Sequence, residues 1–118
     1  MGLCEDKKQI IKLFLQNIDR IANKEYQKRV WIEGRGPECH DFDEAVNEFF
    51  GDGDPILKNY QNYGLNQMQL QILKKFHTEF EYFANCHDFP EEFIDTPEWA
   101  NITYLAKDVL KAFNYKNA

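Results

Sequence analysis

Nothing in this chain is apolar for long enough to cross a bilayer: its hydrophobic runs stop after a few residues. The start, MGLCEDKKQ, lacks the apolar core of a secretory signal. Cysteine is scarce, with three residues at irregular spacing, which argues against a disulfide framework and fits a reducing cytoplasm. Period-two alternation is missing, so no segment reads as a strand. Also missing are GxSxG, GxGxxG, the Walker loop and HExxH, and no catalytic residue set is assigned. Paired acids are plentiful but dispersed as on a solvated face. These absences leave a non-enzymatic globular chain as the expectation.

Aromatic residues are abundant. Ten Phe, six Tyr and two Trp in 118 residues promise a packed interior, and the length suits one domain spanning residues 1–118. Ile10, Ile11, Phe14, Ile18, Ile21 and Ala22 recur at helical spacing, and Asn23 ends that stripe. A second short helix is expected over NKEYQKRVWIE, closed by Gly34. Phe42, Ala45, Val46, Phe49 and Phe50 mark a third helix, which Gly51 and Gly53 are expected to stop. Asp54 followed by Pro55 then reads as the cap of a new short helix through Tyr60 toward Gly64. A long helix follows from near Asn66, through Leu65, Met68, Ile72, Leu73, Phe76, Phe80 and Phe83. The last opens at Asp95-Thr96-Pro97-Glu98 and runs through Phe113. The expected fold is all-α, a compact single-domain helical bundle of five to seven helices.

The tetrapeptide CHDF occurs twice, at Cys39–Phe42 and Cys86–Phe89. Each copy is followed by a glutamate two residues after its Phe, so Asp41 and Asp88 read as helix caps in Asp-led capping boxes. Cys39, His40, Cys86 and His87 are also the residue types of a structural zinc. Ligands adjacent in the chain diverge in direction, whereas zinc pairs usually leave two to four residues between them. The zinc protein therefore stays the alternative, and the primary expectation assigns no metal and no cofactor. On that expectation both cysteines are partly buried and both histidines lie on the surface. Asp52-Gly53-Asp54 also fails as a calcium loop, because the sixth position from Asp52 is Leu57 and the twelfth is Tyr63.

Charge is where the chain is most unusual. Net charge is −6, unevenly placed. Residues 33–54 carry eight acids, including Glu38, against Arg35 alone, a local balance of −7. Residues 86–98 add −5 with no base, while the first 32 residues are net positive by three. Acids at helix starts complement the macrodipole, which accounts for Asp41, Asp43 and Glu44. It does not account for Glu48, Asp52 and Asp54, expected at or beyond a helix end. The functional reading is a docking face for a basic protein: Asp41, Asp43, Glu44, Glu48, Asp52 and Asp54 steer the encounter, and Tyr60 and Tyr63 anchor it. Tyr60 can equally pack in the core by its spacing from Ile56, so Tyr63 is the one expected to be exposed. Phosphate would be repelled by such a face, so nucleic acid is not expected as a direct partner.

Asp52-Gly53-Asp54 leading to Tyr60 and Tyr63 is similar to the acidic loop and tyrosine-bearing short helix of nuclease-colicin immunity proteins. More broadly, the chain resembles the small, acidic, all-helical immunity proteins of bacterial toxins, of colicin or contact-dependent-inhibition type. The likeness covers Gly51–Gly64, and the tyrosines here stand three apart rather than adjacent. It implies a cognate toxin as partner, neutralised in the cytoplasm by an acidic face that mimics nucleic-acid charge or holds an adjacent exosite. A homo-oligomeric adaptor, with the aromatic surplus at a subunit interface, is a further alternative.

Overall fold

A computed structural model describes residues 5–37 and 40–115. Six α-helices and one π-helix account for the regular structure there, with no strand among the described residues. They are α1 (Glu5–Ala22), α2 (Lys24–Tyr26), a π-helix (Gln27–Ile32), α3 (Phe42–Lys58), α4 (Gln67–Cys86), α5 (Pro90–Phe93) and α6 (Pro97–Ala112). The fold is thus the expected all-α bundle. Its radius of gyration, 14.2 Å, lies near the ~13.5 Å expected of one domain this long.

Helix α1 packs against α3 and α6, and α4 closes the bundle against α6 and α3. The stripe Phe14, Ile18, Ile21 on α1 is fully buried, as are Phe49 on α3 and Phe76 and Phe80 on α4. The aromatic surplus fills this core. Phe14 stacks on Phe49 at 5.3 Å, Phe49 meets Phe76 edge-on at 5.0 Å, and Phe93 lies 4.7 Å from Trp99. Such pairs add to the stabilisation that burial alone supplies.

The starts of α4 and α6 match their sequence signals. Asn66 and Gln69 form a reciprocal capping box on α4, and Thr96 caps α6 through the Trp99 amide, with Pro97 in the first turn. Three expectations need correction. First, Gly51 and Gly53 do not break α3, which continues to Lys58 with Pro55 inside it. Asp54 is therefore no cap. Gly53 faces α1, where an added Cβ would sit 3.3 Å from Phe14 Cε1, so here glycine serves close helix packing. Second, the segment before Gly34 is a single turn of α-helix that widens into a six-residue π-helix. Gly34 follows at φ +65°, the left-handed conformation that glycine adopts without penalty. Third, the two CHDF copies differ. Asp41 caps α3 by accepting from the Glu44 amide at 2.8 Å, but the cap position of α5 is Phe89, with no side-chain hydrogen bond, so Asp88 plays no such part.

The buried polar groups tie elements together. Asn17 Nδ2 donates to the Ala45 carbonyl, linking α1 to α3. Gln27, on the π-helix and 0% exposed, donates to the Arg20 and Ile21 carbonyls at the end of α1. Its Oε1 accepts from Trp99 Nε1 of α6 at 2.9 Å.

Candidate functional site

One unbroken α3 changes the geometry of the acidic segment. At 100° per residue, Glu44, Glu48 and Asp52 stand at i, i+4 and i+8 and form a single stripe beside the buried face. Asp43 and Asp54 lie roughly 120° away around the helix. The predicted site residues thus separate into two flanks rather than one loop. Glu44 and Glu48 are exposed and Asp52 is half-buried. Burial raises the Asp52 carboxyl above its usual range, and the Glu48 charge one turn away raises it further. Like charges at this spacing cost about 0.2–0.5 kcal/mol per pair. Asp52 and Asp54 stand inward of the last turn of α3, where the helix dipole gives negative charge no support. The helix dipole favours Glu44, but stability accounts for neither Glu48 nor Asp52.

The remaining predicted residues are more constrained. Asp41 is the α3 cap, and Asp43 is exposed in the first turn. Asp54 Oδ1 meets His77 Nε2 at 2.9 Å, joining α3 to α4. Among the described residues, the α3 acids approach two histidines, His40 and His77, and none is within ion-pair distance of a lysine or arginine. Tyr60 and Tyr63 are both half-buried against the core, so Tyr63 is not the freely exposed ring expected. The Tyr60 hydroxyl accepts from Gln67 Nε2 at 2.9 Å, and Lys7 Nζ stands 5.6 Å from the Tyr63 ring centre. In the second acidic segment, Asp95 pairs with Lys24, whose hydrogen bond and charge hold its carboxyl below the usual range.

Cys39 and Glu38 lie outside the described residues. Cys86 is exposed, while His40 and His87 are half-buried, the reverse of the expected placement. His87 donates from Nδ1 to the Phe83 carbonyl and stacks on the Phe83 ring at 4.0 Å. Among the described residues, His40, Cys86 and His87 do not gather into a ligand group.

His40 was the residue that its surroundings redefine most. It precedes the α3 cap by one position, outside the helix, and its ring lies beside Glu44 and Glu48. Trp31, on the π-helix, donates Nε1–H to His40 Nδ1 at 3.0 Å. Indole nitrogen only donates, so Nδ1 carries no proton and the neutral ring holds its proton on Nε2. Burial, with help from the Arg20 charge, pushes the His40 pKa down; Glu48, Glu44 and Asp41 oppose this and lose. Nε2 is buried, lies 3.7 Å from Glu48 Oε2 and has no hydrogen-bond partner. The sequence signal for this arrangement is the repeat of polar groups at 40, 44, 48 and 52. Trp31 carries none, because nothing in its neighbours announces a π-helix.

The chain matches no known protein family, no curated sequence and no solved structure.

Proposed function

We propose that this protein is a non-catalytic, acidic protein-binding module, and most concretely an immunity protein that neutralises a basic nuclease-type toxin in the cytoplasm. The observation that carries this reading is the stripe of exposed Glu44 and Glu48 with half-buried Asp52, whose like charges oppose one another and which meets no lysine or arginine among the described residues. Clustered carboxylates of this kind accelerate encounter with a basic surface and fix its orientation. Asp43 and Asp54 extend the field to the second flank. Tyr60 and Tyr63, held in the turn after α3, offer ring edges already ordered by Gln67 and Lys7, so little side-chain freedom is lost on docking. No helix among the described residues is long and apolar enough to cross a membrane, in keeping with a partner met in solution.

The test is co-expression with the adjacent upstream reading frame of the source genome, with growth as readout. Arrest by that gene alone, relieved by this chain but not by a folded Glu48→Lys/Asp52→Lys variant, is the expected result. Equal relief by the variant would remove the acidic face from the mechanism. Absence of arrest would remove the immunity reading.

A further inference from the structure

His40 Nε2 and the carboxylate oxygens of Glu44 and Glu48 all lie within 4.8 Å of one another. A pair of exposed glutamates is an ordinary helix surface. The histidine is not. Its side chain is only 7% exposed, and its one unpartnered polar atom is turned toward Glu48. A buried polar group without a partner calls for a specific reason. The element that holds the ring in place is itself uncommon: Trp31 belongs to a six-residue π-helix, a form that recurs at functional sites.

We propose that His40 Nε2, Glu44 and Glu48 bind a divalent first-row transition ion, in exchange for the Trp31–His40 hydrogen bond. One imidazole nitrogen with two carboxylates suits zinc and its neighbours, whereas calcium and magnesium prefer all-oxygen sets. An ion about 2.0–2.2 Å from each atom would draw the two exposed glutamate side chains inward by rotation. Three protein ligands leave a fourth position to water, as in open zinc sites. The exchange follows from the tautomer. Coordination needs the Nε2 lone pair, so the proton on Nε2 is given up and one is taken at Nδ1. Nδ1–H then faces Trp31 Nε1–H, and the indole loses its acceptor. Trp31 thus competes with the metal.

The site shares two carboxylates with the docking stripe but does not rest on the docking reading, and the isolated full chain tests it. Zn²⁺ is titrated by calorimetry in a non-chelating buffer, with Co²⁺ absorption reporting ligand type. One equivalent is expected to bind, without sulfur-to-cobalt charge transfer. Affinity should fall at least tenfold in Glu44→Gln/Glu48→Gln, a surface variant expected to fold, and in His40→Ala. It should survive replacement of Cys4, Cys39 and Cys86 by serine. Trp31→Phe should tighten binding about fivefold, the equivalent of one typical hydrogen bond. Absence of stoichiometric binding, binding unchanged in the glutamate variant, or loss in the cysteine variant would overturn the site. Unchanged or weaker binding by Trp31→Phe would overturn the exchange. None of these outcomes bears on relief of growth arrest, so the two readings fail separately.

Discussion

Gln27 makes three hydrogen bonds while fully buried, and no helical stripe in the sequence marks it as a core residue. Replacement by leucine keeps the approximate volume but strands the Trp99 indole N–H and leaves the α1 carbonyls without this donor. Each buried group so orphaned costs about 1–3 kcal/mol, so Gln27→Leu is expected to destabilise by ~3 kcal/mol. Urea unfolding measures it, and a loss under about 1 kcal/mol would show that α1 finds other partners. His40 makes a second prediction at this scale. Its folded pKa is lowered from the ordinary 6.5, so the unfolded chain binds protons first on acidification. The stability it contributes is complete above that ordinary value and is lost as pH falls through the lower, folded one. Protonation also sets an Nδ1–H against the Trp31 N–H. The urea midpoint of wild type should therefore drop more steeply between about pH 7 and pH 5 than that of His40→Gln. Parallel curves would mean that protonation leaves the Trp31 contact intact.

Helix α3 shows what element-level reading recovers and where it fails. Local chemistry close in sequence is legible: Asn66 with Gln69, Thr96 with Pro97, and Asp41 as a cap all depend on a few neighbouring residues. Gly51 and Gly53 look equally local, yet their meaning is tertiary. Gly53 lets Phe14 approach, while nothing lies within 4 Å of a Cβ at Gly51. The π-helix fails for the same reason, since its wider turn holds Gln27 against Trp99, far along the chain, and Trp31 against His40 across the loop before α3. Of the candidate site, the acids were legible as composition, but their division into two flanks needed the helix to continue through Pro55. Two substitutions separate the glycines. Gly51→Ala gains helix propensity at no steric cost and should stabilise by up to ~1 kcal/mol. Gly53→Ala gains the same propensity but presses on Phe14, so it should be the less stable of the two. Thermal unfolding of both variants decides the order, and the reverse order would mean that α1 and α3 are not held at this spacing.

Across the whole molecule, two observations bear on what the surface is for. Exposed aromatic residues survive outside the core, with Tyr82 at 74% and Tyr104 at 64% exposure, and Tyr82 lines an apolar pocket of about 190 Å³ between α4 and α6. Glu79 and Glu98 line that pocket as well, while Glu44, Glu48 and Asp52 form a separate acidic stripe on α3. The local balance of −7 over residues 33–54 makes the α3 surface repel itself. Burial, and after it the Glu48 charge, raises the Asp52 carboxyl, which places the folded chain above the unfolded one in proton affinity at that position. A raised carboxyl contributes stability below its ordinary pKa and loses it as pH rises through the folded value, so at neutral pH ionised Asp52 is a net cost. Salt should screen the Glu48 share of that cost, because Glu48 faces water one turn from Asp52, within a Debye length. The expected outcome is a urea midpoint at pH 7 that rises from low salt to about 0.15 M. The rise should be smaller in Glu44→Gln/Glu48→Gln/Asp52→Asn, which should itself be slightly more stable than wild type at low salt. A midpoint that falls with salt would mean that attractive pairs, such as Lys24 with Asp95, outweigh the stripe. The premise that stability opposes these acids would then be lost, and with it the strongest argument that they are kept for a partner.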